Sequence, residues 1–238
     1  MKFISLFAGI GGLDLGFERA GLTCVAQVEI DPFCQMVLEK HWPDVPRYGD
    51  ISTVRGDRLP HCDVLAGGFP CQDLSYAGFG AGIEGARSGL WGEYARLIRE
   101  IRPEYVVVEN VAALLARGAG RVLGDLASYG YDAEWRIIPA SSLGLPHERE
   151  RLFIVAYANE KHGETGMGDK QNRTRTVFTP DHPKCVSVRL QAADQFIGVD
   201  DGISAQSYLN RAGAIGNAIA VPVAEYVGRC VMEHATTA

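Results

Sequence analysis

A chain of 238 residues, 47% hydrophobic and 22% charged, has the material for one large domain with a small appended lobe. Its formal net charge of −6 gives no overall basic footprint, so any phosphate contact has to come from a local patch. No run approaches the ~18 apolar residues of a membrane span, and the opening apolar run is too short for a signal peptide, which points to a cytoplasmic protein without a membrane partner.

In chain order, residues 3–7 read as a first strand and Gly9-Ile10-Gly11-Gly12 as the turn after it. A short helix over 13–20, ended by Gly21, leads to a second strand over 24–30. Asp31 and Pro32 then supply an N-cap and a first helical residue for a helix reaching about His41. A weaker third strand ends near Gly49-Asp50-Ile51, and Val64-Leu65-Ala66 reads as a buried strand. The glycine-rich span 78–89 follows, with Ser88 as cap for a helix over 90–101. Residues 105–109 are β-branched and apolar, a central strand, and 121–128 are helical. Strands over 131–138 and 152–157 flank residues 139–151 as a hairpin-like antiparallel addition.

Alternation of strand and helix through residue 158 predicts an α/β fold with a mostly parallel sheet. From 159 to 208 the pattern dissolves into a polar stretch with a basic knot at 170–175. Order returns over 209–238, where 221–233 reads as a closing helix. Three units follow: a catalytic and cofactor-binding domain (1–158), a small irregular lobe (159–208) and a C-terminal segment returning to the first domain (209–238).

The strand, glycine turn and helix over 3–20 have the layout of a nucleotide-binding βα turn. Asp14 follows, bulky and negative where a dinucleotide pyrophosphate would sit, which disfavours a nicotinamide cofactor. Glu29, ending the second strand, suits two ribose hydroxyls, and Asp50, ending the third, suits an exocyclic adenine amine. A ligand with an adenosine and no phosphate fits S-adenosylmethionine.

The loop Gly67-Gly68-Phe69-Pro70-Cys71-Gln72 follows a strand, and its two glycines read as a sharp turn. Pro70 stiffens the backbone where Cys71 is presented. A lone cysteine in such a chain is ordinarily a small buried hydrophobe. Here Glu109, at the end of the 105–109 strand, falls on the same sheet edge, and a thiolate with a carboxyl can act as nucleophile and acid. The six cysteines, at 24, 34, 62, 71, 185 and 230, contain no Cys-x-x-Cys pair, which argues against a zinc site or a disulfide framework.

Phe-Ala-Gly-Ile-Gly-Gly at 7–12, Gly-Gly-Phe-Pro-Cys-Gln at 67–72, Glu-Asn-Val at 109–111, Arg-Glu-Arg at 149–151 and Gly-Asn-Ala at 216–218 resemble the ordered motifs of DNA (cytosine-5) methyltransferases. The resemblance implies a Rossmann-like S-adenosylmethionine-dependent methyltransferase fold. It implies a cofactor site of Phe7, Gly9, Gly11, Glu29 and Ile30 with Asp50, Ile51, Pro70, Leu90 and Asn217. The catalytic positions it implies are Cys71, Glu109, Arg149 and Arg151. Attack of the Cys71 thiolate on carbon 6 of cytosine would turn the ring into an enamine nucleophilic at carbon 5. Glu109 would hold or protonate ring nitrogen 3, and Arg149 or Arg151 would bond the carbonyl oxygen. The base must be flipped out of the duplex, and the 78–89 span is the expected closing loop.

The family inserts a sizeable target-recognition domain after the Arg-x-Arg strand, where this chain has only its short 159–208 region. The basic knot at 170–175 is the local candidate for phosphate contact. The implied partners are double-stranded DNA and a cognate restriction endonuclease, with the chain a monomer and a phage setting suggested by its compactness. The competing readings are a transfer RNA cytosine-5 methyltransferase and a non-catalytic module that binds cofactor or DNA.

Overall fold

The computed structural model describes residues 1–70, 89–159, 176–178 and 218–237. Cys71, the glycine-rich span up to Ser88, the basic knot at 170–175 and Asn217 lie outside the described residues. So does the 159–208 lobe apart from Asn159 and residues 176–178.

Seven strands form one mixed sheet: β1 (Lys2–Leu6), β2 (Thr23–Val28), β3 (Arg47–Tyr48), β4 (Val64–Gly68), β5 (Tyr105–Val111), β6 (Tyr131–Pro139) and β7 (Glu150–Ala158). Their order is β3-β2-β1-β4-β5-β7-β6. The first five run parallel, and β7 pairs antiparallel with both β5 and β6, which is the hairpin-like addition expected from residues 131–157. In β5, Tyr105 through Asn110 are all buried, as a central strand covered on both faces requires.

The α-helices among the described residues are α1 (Gly12–Arg19), α2 (Pro32–His41), α3 (Leu90–Ile101), α4 (Leu114–Arg117), α5 (Ala119–Ser128) and α6 (Val221–Thr237). One core packs α3, α4 and α5 against Ile4, Leu6, Leu65, Val106 and Ile154. The other packs α1 and α6 against Phe3, Val64, Ala66, Val107 and Phe153. Glycines set the α1–α6 spacing, because a Cβ on Gly16 would strike the Cβ of Ala224 and one on Gly228 would meet that of Ala20. Asp31 caps α2 by accepting from the Phe33 and Cys34 amides at 2.8 and 3.0 Å, with Pro32 at the first helical position. Helix α3 occupies its expected residues with Gly89 in the N-cap position, and Ser88, the expected cap, lies outside the described residues. No described helix is long and apolar enough to cross a membrane.

Two local expectations are overturned. Gly67 and Gly68 do not turn; they are the last two residues of β4. A Cβ on Gly67 would run into the carbonyl of Leu6 on β1, and one on Gly68 into the Glu109 carboxyl. Close approach by neighbouring strands, not backbone freedom, is what calls for glycine there. Asp14 does not face ligand space either: it has no exposed surface and turns into the core behind β1 and β2.

Candidate active site

The strand order reverses between β1 and β4, and a cavity of about 710 Å³ opens at the carboxyl ends of the parallel strands there. Each strand delivers its next residues to the wall: Phe7 and Gly9 after β1, Glu29 and Ile30 after β2, Asp50 and Ile51 after β3, Phe69 and Pro70 after β4. Glu109 lies within β5 near its end, and Arg151 lies at the start of β7. Because β7 runs antiparallel, its beginning rather than its end reaches this edge, with Arg151 paired opposite Val111.

The turn after β1 carries the backbone strain of the site. Phe7 has φ 53°, a left-handed conformation unusual for a side chain of this size, and Gly9 has φ 56°. The Glu29 carboxylate braces the turn by accepting from the Gly9 amide at 2.7 Å and from the Asp31 amide at 2.8 Å. Both Glu29 oxygens keep a further lone pair for a ligand hydroxyl. Asp50 accepts from the Ser52 amide at 2.9 Å, and that backbone bond holds its carboxyl below the usual range. Gly11 does not line the cavity. It has φ 85°, and a side chain there would collide with the Trp42 ring.

The residues present suit an adenosine-bearing cofactor without phosphates. Ile30 leaves 66% of its surface exposed on the cavity wall, an apolar face open to a flat base. Phe7, Ile51 and Leu90 add apolar wall, while acids stand at the ends of β2 and β3. A Cβ on Gly9 would meet nothing within 4 Å, so the backbone there is open to close approach.

On the β5 side, the Arg151 Nε donates to Glu109 Oε1 at 2.9 Å. Burial pushes the Glu109 carboxyl up to about 7 even though Arg151 and Arg149 pull it down. Arg149 does not line the cavity. Its Nη2 donates to the Ala218 carbonyl at 2.9 Å, and desolvation, reinforced by Arg151, lowers its proton affinity. Asn110 donates to the Phe69 carbonyl at 3.2 Å, fixing the backbone just before Pro70. Beneath it, Phe69 packs on Trp91 and Trp91 on Tyr94, with ring centroids 5.6 and 5.5 Å apart.

Of the predicted site residues, Phe7, Gly9, Glu29, Ile30, Asp50, Ile51, Pro70, Leu90, Glu109 and Arg151 line this one cavity. Sequence reasoning missed Phe33 and Cys34, which the Asp31 cap brings to the wall at the start of α2. The Asp31-Pro32 signal had already placed that helix start beside the end of β2. Ser5 was missed too, for want of any local signal.

The family model for C-5 cytosine-specific DNA methylases matches residues 1–201. The chain is 36% identical over 198 residues to the Type II methyltransferase M.DsaV of Dactylococcopsis salina, covering 82% of this chain and 52% of that protein. Among solved structures it is similar to an E. coli protein described as a DNA modification methyltransferase encoded within a prophage. That match has TM-score 0.58 and 25% identity, covering 66% of this chain and 47% of the other. It also shares its fold with the Entamoeba histolytica methyltransferase EhMeth, at TM-score 0.65 and 14% identity over 98% of this chain and 97% of that one. The chain spans about half the length of the curated relatives it matches.

Proposed function

The chain belongs to the C-5 cytosine-specific DNA methylase family, and from that premise we propose that it transfers a methyl group from S-adenosylmethionine to carbon 5 of a flipped-out cytosine in DNA. The observation that carries this reading is the Glu109–Arg151 pair on the same cavity wall as Glu29, Ile30 and Asp50. An acid able to hold or give a proton near neutral pH thus faces a site suited to an adenosine.

Glu29 holds the ribose hydroxyls, Asp50 the exocyclic amine, and Phe7, Ile30, Ile51 and Leu90 flank the base. Gly9 and Pro70 approach the cofactor through their backbone, and Asn217 is assigned to the same site from its motif. When bound, S-adenosylmethionine supplies an electrophilic methyl group. Cys71, next in the chain after the cavity-lining Pro70, attacks carbon 6 of the cytosine and makes carbon 5 nucleophilic. Glu109 holds ring nitrogen 3 so that charge does not build on the ring, and Arg151 bonds the carbonyl oxygen. Arg149 supports this edge through its bond to Ala218. Loss of the carbon 5 proton then expels Cys71 and restores the ring. Flipping the base costs about a few kcal/mol, which contacts to the extruded nucleotide must offset.

Residues 159–208 are assigned the reduced target-recognition role within a monomer acting on duplex DNA, alongside a restriction endonuclease of matching specificity. The test is methyl incorporation from labelled cofactor into duplex DNA and into transfer RNA, with bisulfite sequencing of DNA from expressing cells. A covalent adduct with a 5-fluorocytosine duplex, lost in Cys71→Ser while cofactor binding is kept, is the expected result. Labelling of transfer RNA alone would replace the substrate, and cofactor binding without methylation of either would leave a non-catalytic module.

A further inference from the structure

Two carboxyls are buried among the described residues, Glu109 and Asp14, and only Glu109 is ion-paired. Asp14 stands in the first turn of α1 without exposed surface. Its Oδ2 accepts from the Ser5 hydroxyl at 2.9 Å, and its Oδ1 accepts from the Gln27 amide at 2.8 Å and the Cys24 thiol at 3.5 Å. All three donors are neutral. The charged groups on the surrounding elements do not bond to it. Glu18 and Arg19 lie further along α1. Glu225 and Arg229 of α6 pair with each other at 2.6 Å. Glu29, just past β2, is engaged by the Gly9 and Asp31 amides. Burial pushes the Asp14 carboxyl up to about 6, against the pull of its three hydrogen bonds.

Ser5 also lines the cavity, as do Gly12 and Leu13 of the turn that carries Asp14. The carboxyl therefore lies one hydrogen bond behind the cavity wall, a buried acid with no cation beside it among the described residues. In a low-dielectric interior such a group interacts strongly with a cation placed across that wall. The cofactor assigned above carries a positive sulfonium, and its demethylated product, S-adenosylhomocysteine, differs in having an uncharged sulfur there.

We propose that Asp14 is a specificity-determining residue of this site: from behind Ser5 it favours the cationic methyl donor over the product, and its ionisation and the donor's binding promote each other. The inference rests on the cofactor reading and deepens it. Asp14 touches neither molecule and acts through the field it sets at the wall. The adenosine and amino-acid parts are common to both ligands, and below about pH 7 both amino groups are protonated, so effects transmitted through them cancel there in the ratio of the two affinities.

The experiment is calorimetric titration of the full chain with each ligand between about pH 5.5 and 7, in buffers of two ionisation enthalpies. In the wild type the donor-to-product affinity ratio rises by roughly two- to threefold across this range, the part above pH 5.5 of a fivefold coupling, which is the low end of ordinary coupling between sites. Near pH 6 the donor releases more protons than the product does. Asp14→Asn flattens the ratio, while Glu109→Gln, which removes the other buried acid, keeps its rise. A flat wild-type ratio overturns the proposal, as does a rise that survives Asp14→Asn and vanishes in Glu109→Gln. Should Asp14→Asn not fold, the wild-type proton count decides, and equal release for both ligands overturns the proposal. Failure of both ligands to bind at any pH overturns the cofactor reading itself, whereas tight binding at a flat ratio removes only the role of Asp14.

Discussion

Glu109 and Arg151 meet at 2.9 Å from strands running in opposite directions, the first near the end of β5 and the second at the start of β7. Under the proposed chemistry the carboxyl must be able to carry a proton at ring nitrogen 3. Glu109→Gln keeps the shape and removes that proton exchange, so turnover is expected to fall by about 100-fold or more while cofactor affinity changes little. Single-turnover methyl transfer alongside calorimetry of cofactor binding checks both halves.

The same carboxyl makes stability depend on pH. Its ordinary value is 4.5 and burial raises it to about 7, so the folded protein holds this proton more tightly than the unfolded chain. The associated stability is fully present below about 4.5 and is lost as pH rises to about 7. Wild type should therefore lose thermal stability relative to Glu109→Gln between pH 5 and 7.5, in melting curves recorded in parallel. Asp14 titrates in both proteins and drops out of that difference. A constant gap between the two curves would refute the assigned direction.

Gly67 and Gly68 are adjacent, yet their replacement by alanine should have different consequences. Gly67→Ala forces a methyl group against the Leu6 backbone, which cannot move without disturbing β1, and a loss of ~1–3 kcal/mol is expected. Gly68→Ala meets a carboxyl at the end of a side chain, so the fold can adapt by displacing Glu109. The first variant should show a lowered denaturation midpoint, the second mainly a lowered methylation rate. Equal effects of both on stability and rate would count against this separation.

Glu29→Ala removes the acceptor of the Gly9 and Asp31 amides together with the proposed ribose contact. Hydrogen bonds to a charged group are worth ~1.5–3 kcal/mol each, so cofactor affinity should drop by at least tenfold. Glu29→Gln keeps one carbonyl acceptor and should fall between the two. An unchanged dissociation constant for Glu29→Ala by calorimetry would remove Glu29 from the site.

Much of this arrangement was legible because the informative residues stand at element ends. Glu29 and Glu109 each close an apolar run and Asp50 follows a short third strand, and a parallel sheet gathers the ends of its strands on one edge. What stayed hidden depended on register between strands. Gly67 and Gly68 read as a turn because nothing local reveals that Leu6 and Glu109 press against them from either side. Asp14 read as an acid on the ligand side of the turn because its partners Ser5 and Gln27 come together only through the β1–β2 pairing, which shifts by a residue between Phe3 and Ile4. Arg149 and Arg151, close in sequence, part company because one turns to Ala218 and the other to Glu109.

The reversal of β7 also decides where the chain departs. Asn159 leaves from the edge remote from the cavity, its amide bound to the Gly130 carbonyl, while Ala218 and Ile219 rejoin at the cavity itself. Between those two moorings Val177 and Phe178 are buried in the second core with their amides on the Glu134 carboxylate, so a cassette exchanged for another has to keep those two residues and Asn217. Swapping that cassette between relatives should redirect which nucleotide sequence is marked and leave the bond-making groups as they are.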